Sequence, residues 1–335
     1  MGVTPFFIQH KMLHATSIQL WGKIVKIFFI IMLFSSSLMA KPYAFITNQL
    51  DNSVSIIDTQ SNKIVNTISV TGKPVGVAVN DGKAQVYIST PNGGGFAVLD
   101  IKTKRKIRFV EVGGASLGIA VDAKGERVFV ADWYENTVSV FDTQAFKLIT
   151  VIQVGKSPSG MMVSDDNRWL YVANRVDDSV SQIDLTTLKI RNTVKVGTHP
   201  FGISVNKAGN SIYTANVESD DVTILQNPGL KKLTTVKVGV RPYATALALN
   251  DSLLFVTNQD DSTVSVIDTV TSKVISVIEV GEKPEGISTH PDDQHVYVAN
   301  WFDSNVSVID AKTLKVVDTI ETGEGCRAFG LFISE

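Results

Sequence analysis

Three observations predict an all-β fold, a seven-bladed β-propeller of four-stranded antiparallel blades. A 42-residue unit recurs seven times without insertion or deletion. Each copy holds four short strand signals. The two ends of the chain are offset in phase by one strand. Counting from Ala44, the second residue of each unit is Phe45, Tyr87, Phe129, Tyr171, Tyr213, Phe255 and Tyr297. Three residues later stand Asn48, Thr90, Asp132, Asn174, Asn216, Asn258 and Asn300. Further on come Asp58, Asp100, Asp142, Asp184, Gln226, Asp268 and Asp310, then Thr71, Gly113, Gly155, Gly197, Gly239, Gly281 and Gly323.

The strand signals are runs of four to seven residues rich in Val, Ile, Tyr and Phe, separated by turn formers. Val54, Val138, Val180, Val264 and Val306 share one column, and Ser55, Ser139, Ser181, Ser265 and Ser307 the next. Period two is the strand period, and a small Ser lets a neighbouring sheet approach. After residue 40 the chain enters at the second strand of a blade, residues 43–47, and ends on a first strand, residues 328–333. The C-terminal strand is therefore expected to join the three N-terminal strands and close the ring, leaving no open edge. Six further blades start near residues 75, 117, 159, 201, 243 and 285.

Residues 1–40 read differently. They contain no Asp or Glu, and Lys23 and Lys26 precede the apolar run 27–34, which leads through Ser35–Ser37 to Ala40. Basic flank, apolar centre and small residue define a secretory signal peptide, with Met1 and Met12 both available as starts. The uncharged stretch 27–40 is shorter than the ~20 residues of a membrane span. The reading is a signal at 1–40 and a propeller at 41–335, periplasmic or extracellular, monomeric, with no integral membrane segment once the signal is removed. Without residues 1–40 the chain has 28 basic and 33 acidic residues, a formal −5 that gives no general drive towards nucleic acid or anionic membrane. Cys326 stands alone, so no internal disulfide forms.

The repeat motifs resemble the YVTN-type β-propeller family, the YncE-like exported proteins. They appear as FITN at 45–48, YVAN at 171–174 and 297–300, and FVTN at 255–258. SVSVIDT-type segments stand at 53–59 and 263–269, and VGxxPxG at 154–160, 196–202 and 280–286. The resemblance implies the fold and export over residues 41–335. It implies little about activity, since propellers host many functions. Blade two, with STPNGGGFAVLD at 89–100, and blade five, with ILQNPGLKK at 224–232, depart furthest from the pattern.

Residues repeated in every blade are scaffold, the Asn and Asp columns bonding local backbone at strand ends. Function is expected in departures from the repeat, on loops of one face. Loops joining second to third strands carry Trp133, Tyr134, Arg175, Trp301 and Phe302. Loops of the VGxxPxG kind on the same face carry Lys73, Lys156, His199, Phe201, Arg241, Tyr243, Lys283 and Arg327. Exposed aromatics beside cations make a surface that stacks on rings or holds anions. The ligand-binding candidates are therefore Trp133, Tyr134, Arg175, Trp301, Phe302, His199, Phe201, Arg241, Tyr243 and Arg327. Asp51, Glu135, Asp177, Asp261 and Asp303 are read as turn residues.

Catalytic and cofactor signatures are sparse. There is no CxxCH and no Gly-rich phosphate loop, and no cofactor and no catalytic residue is assigned. His290 and His295 flank the inner hairpin PDDQ on the opposite face, with too few evident partners for a metal site. The first expectation is a non-enzymatic binding or scaffolding propeller, whose partner is a protein, peptide, glycan or single-stranded nucleic acid. The rivals are a lactonase-type hydrolase using acidic residues at the central mouth, with Asp132 the first candidate ligand, and an accessory subunit of a periplasmic redox enzyme.

Overall fold

The computed structural model describes residues 1–2 and 41–335, so the expected signal segment lies, apart from Met1 and Gly2, outside the described residues. Residues 42–335 form one compact unit. Among the described residues no helix is long and apolar enough to cross a membrane.

The chain is a seven-bladed β-propeller. Six blades are continuous four-stranded antiparallel sheets, such as blade 7 with Pro284–Thr289, His295–Asn300, Asn305–Asp310 and Lys315–Glu321 from axis to rim. Blades 2 and 5 keep four strands despite their divergent sequences. Blade 1 contains Tyr43–Asn48, Ser53–Asp58 and Lys63–Ser69, and the C-terminal segment supplies its inner edge.

Residues 326 and 333 bridge Asn48 and Ala44, and Phe45 N–H donates to the Phe332 carbonyl at 2.8 Å. Between these anchors the chain departs from the simple pairing. The innermost strands of blades 3 to 7 carry a one-residue bulge after the position paired with the Asn column, as between Pro284↔Asn300 and Ile287↔Val298. Here the bulge is longer, and Phe329–Leu331 pairs in parallel with Gly76–Ala78 of blade 2. The C-terminal strand thus binds both neighbours at the closing seam.

The aromatic column of the repeat is the packing between blades. Phe45, Tyr87, Phe129, Tyr171, Tyr213, Phe255 and Tyr297 are all buried. The Tyr hydroxyls that must follow them inside find partners, as Tyr87 Oη does with Asn80 Nδ2 at 3.0 Å and Tyr297 Oη with Asn62 Oδ1 at 2.7 Å.

The Ser column has a second role beyond its size. Asn300 Nδ2 donates to Asn305 Oδ1 at 2.7 Å and to Ser307 Oγ at 2.9 Å. Asn48, Asn174 and Asn258 make the same pair of bonds five and seven residues on. The Asn also explains the Gly column. A Cβ on Gly281 would lie 2.7 Å from Asn300 Cγ, so the amide fills the space a side chain would need. At the axis the reason is backbone: a Cβ on Gly118 would sit 2.0 Å from the Ser159 carbonyl of the next blade. The converging inner strands leave room only for hydrogen there.

The Asp column caps the turns leading to the outermost strands. Asp184 Oδ1 accepts from the N–H groups of Thr186 and Thr187 at 2.8 and 3.0 Å, and Asp310 does likewise with Lys312 and Thr313. Those backbone donors hold both carboxyls below the ordinary aspartate value.

Candidate functional site: the front mouth of the axial channel

The two loop classes do share a face, here called the front. In blade after blade the residue following the Asn column donates its N–H across to the blade-connecting loop: Trp133 to Ala115, Arg175 to Ser157, Gln259 to Arg241 and Trp301 to Lys283. Asp51, Asp177, Asp261 and Asp303 then accept an N–H from the same connecting loops, at 2.6–2.9 Å. They are turn residues, as expected, and they fix the front loops rigidly.

In six of the seven blades the residue at the position between Pro and Gly of VGxxPxG joins one cluster on the axis, while Ser159 donates to the Ala173 and Pro200 carbonyls instead. Reading the column gives Val75, Leu117, Ser159, Phe201, Tyr243, Glu285 and Arg327. Phe201 and Tyr243 are therefore not surface aromatics. They are buried in a plug with Val75, Val217 and Phe329, against which Leu117 and Trp133 pack. The Phe201 and Tyr243 rings lie 4.1 Å apart by centroid, and Phe329 meets Phe201 edge-on at 5.2 Å. Behind this plug the channel widens into a cavity of about 220 Å³, lined by innermost strands and opening towards the back, where Asp165, Lys207 and Asp251 stand.

Above the plug lies a polar network. Arg327 makes a bidentate contact with Glu285, through Nε to Oε2 and Nη2 to Oε1. Its Nη1 donates to Gln49 Oε1 at 3.1 Å and its Nη2 to Tyr243 Oη at 3.3 Å. Gln259 Nε2 donates to Glu285 Oε1 at 2.6 Å. The Glu285 side chain is 3% exposed and that of Arg327 21%. Burial pushes the Glu285 carboxyl above its ordinary value, against the pull of Arg327.

A second network borders the first. Glu218 Oε1 takes Arg241 Nη1 at 2.7 Å, with Arg175 Nη2 and His199 Nδ1 each at 3.9 Å. Asp260 takes Lys283 Nζ at 2.8 Å and Arg241 Nε at 3.7 Å. The Arg175 guanidinium lies 6.0 Å from the Trp133 ring centroid. The mouth thus gathers Arg175, His199, Arg241 and Arg327 from the sequence candidates. Glu218, Asp260, Glu285, Gln49 and Gln259 were not among them. Glu285 was findable, since it fills the same period-42 column as Phe201, Tyr243 and Arg327.

The remaining candidates divide by exposure. Trp133 and Trp301 are half-buried against neighbouring loops, whereas Tyr134 and Phe302 are 75% and 65% exposed. Their column also places Leu50 and Val176 in the open. These four stand in blades 1, 3, 4 and 7, while blades 5 and 6 put Glu218 and Asp260 there.

Asp132 does not behave as a free ligand. Its carboxylate accepts N–H bonds from Ala115, Tyr134 and Glu135 at 3.1, 2.9 and 2.9 Å, which makes it a loop clamp within its own blade. Cys326 is fully buried, and burial pushes its thiol up to about 12. On the back face His290 and His295 are joined by Asp292, a third potential ligand that reading the two histidines alone had missed.

Comparisons with known proteins agree on the fold. Residues 147–238, a little over a quarter of the chain, match the family described as lactonase, 7-bladed beta-propeller. No curated protein matches the chain. Hydrazine synthase of Kuenenia stuttgartiensis is similar at 20% identity and a TM-score of 0.74, over 79% of this chain and 91% of that one. A protein from Lactobacillus plantarum gives 18% identity and 0.75, over 85% and 97%. A functionally unknown protein from Desulfotomaculum acetoxidans gives 14% and 0.74, over 86% and 99%. At these identities the likeness is one of propeller architecture.

Proposed function

We propose that this chain is an exported, non-enzymatic binding propeller of the YVTN-repeat type, which presents its front face to a protein partner. The observation that carries this reading is the pair Tyr134 and Phe302, large aromatics exposed on rigid loops at a position where blades 2, 5 and 6 carry Asn, Glu and Asp. Leu50 and Val176 extend the apolar arc, and the charged mouth beside it supplies orientation. Exposed apolar groups rimmed by polar ones are the usual form of a protein-binding patch. Guanidinium groups at the mouth suit an acidic side chain of the partner.

The double variant Tyr134→Ala with Phe302→Ala tests it. Surface truncations away from the core alter stability by about 0.5 kcal/mol or less, whereas interface aromatics are often worth ~2 kcal/mol or more. The variant is expected to keep its unfolding midpoint and lose roughly 30-fold in affinity for partners captured from an envelope extract. Capture identical to wild type would refute the assignment of the face. The half-buried Trp133 and Trp301 are poorer test positions, since their loss also disturbs packing.

The lactonase-family match over 147–238 favours a second reading, hydrolysis of a lactone. It draws no support from Asp132, whose carboxylate is fully engaged, and would rest on Glu285. Lactone turnover that disappears in Glu285→Gln, with folding retained, would establish it.

A further inference from the structure

The back face holds a constellation that the binding function does not use. His290, Asp292 and His295 lie within six residues of one hairpin, and one ligand atom from each comes within 4.8 Å of the others. The columns at 290 and 295 carry Ala248 and Leu253 in the preceding blade and Asn206 and Ser211 in the one before. Neither histidine is therefore demanded by the repeat. Both are departures from it, placed at the two ends of the same turn.

The three side chains are oriented before any ion arrives. His290 Nδ1 accepts from the Asp292 N–H at 3.1 Å, which puts the ring proton on Nε2. That Nε2 stands 3.0 Å from Thr59 Oγ1, which itself donates to the Pro42 carbonyl at 2.9 Å and so receives the imidazole proton. The ring also stacks on Tyr297 at 6.1 Å. Asp292 Oδ1 is anchored by the N–H groups of Gln294 and His295 at 2.7 and 3.0 Å. Its other oxygen, Oδ2, faces His295 Nδ1 at 2.6 Å. Side-chain exposures of 15%, 34% and 39% leave the group open to solvent.

We propose that His290 Nδ1, Asp292 Oδ2 and His295 Nδ1 form a surface site for a divalent transition-metal ion, with water completing the coordination. Two imidazoles and a carboxylate select borderline ions such as zinc, nickel or copper over magnesium and calcium, which prefer all-oxygen sites. The ion displaces the 3.1 Å N–H contact on His290 and the proton shared between His295 and Asp292. Thr59 acts as the outer partner that fixes the His290 tautomer, the role a carbonyl or carboxylate plays behind many metal-bound histidines. Thr59 and Pro42 belong to blade 1 and the three ligands to blade 7, so the outer contact of the site crosses between the last blade and the first. Occupancy is expected to tighten that contact.

The test is calorimetric titration of untagged full-length protein with zinc ion alone, at neutral and at mildly acidic pH. Saturable binding of one ion per chain at these residues is expected, weakening in acid because metal binding releases protons. His295→Ala and Asp292→Asn should each lose more than the ~10-fold typical of an outer-partner change, and Thr59→Val ~10-fold or more. The unfolding midpoint should rise with zinc in the wild type and not in His295→Ala. Should His295→Ala misfold, Asp292→Asn and the nitrogen couplings in the copper-loaded spectrum carry the test. Absence of saturable binding, or binding unchanged in both ligand variants, overturns the site.

Discussion

Deleting residues 326–335 is expected to abolish soluble, cooperatively folding protein. Arg327 N–H donates to the Thr47 carbonyl at 2.9 Å, Ala328 N–H to Thr47 Oγ1 at 2.8 Å, and Ser334 N–H to the Tyr43 carbonyl at 2.9 Å. All three acceptors would be left on a bare edge. Phe329, Phe332 and Ile333 are buried, and each side chain is worth ~1.5–3 kcal/mol on burial. Their loss alone is comparable with the whole ~5–15 kcal/mol by which domains are stable. The deletion also removes Phe329 from the plug and the guanidinium from Glu285. Soluble yield and a thermal melt read the outcome. A truncated chain that stays soluble with an unchanged midpoint would contradict closure by the C-terminal segment.

Replacing Arg327 by Met should destabilise the chain by ~3–5 kcal/mol, because Glu285 is then left buried above the plug without its counter-charge. The loss should depend on pH in a defined direction. Burial already raises the Glu285 carboxyl above its unfolded value, and removing Arg327 raises it further. A carboxyl raised in the folded state favours folding below its unfolded value and loses that contribution as pH rises through the folded one. The defect should therefore shrink in acid and be full at neutral pH, when compared with wild type under the same conditions. The double variant Arg327→Met with Glu285→Leu should recover much of the stability, since a buried pair exchanged for apolar groups is often nearly neutral. Urea midpoints at two pH values decide it. Equal loss at both, with no recovery in the double variant, would mean that the pair matters through packing alone.

Most of the fold was legible because a period of 42 residues without indels transmits the register of one blade to all. Blade count, strand number and the shared face of the two loop classes follow from it. The detour of Phe329–Leu331 to Gly76–Ala78 was not legible. Nothing in the local pattern says that a strand between two neighbours will divide its hydrogen bonds. Column counting also gives position but not direction. Phe201 and Tyr243 were grouped with surface aromatics although their column points to the axis, where Val75 and Glu285 from the same column are also buried. Tyr134 and Phe302, one residue further along their loops than the half-buried Trp133 and Trp301, are the rings left in solvent. Asp132 looked exceptional because it replaces Asn in its column. The structure gives it the same structural task with the hydrogen-bonding sense reversed, accepting from backbone where Asn300 donates to side chains.

The claim that the front face is the working face is tested most directly by photocrosslinking in the native envelope. A photoreactive residue is placed at Phe302 on the front or at exposed Thr313 on the back, in otherwise wild-type protein. A discrete protein adduct is expected from position 302 and none from 313. An adduct from position 313 alone would contradict it.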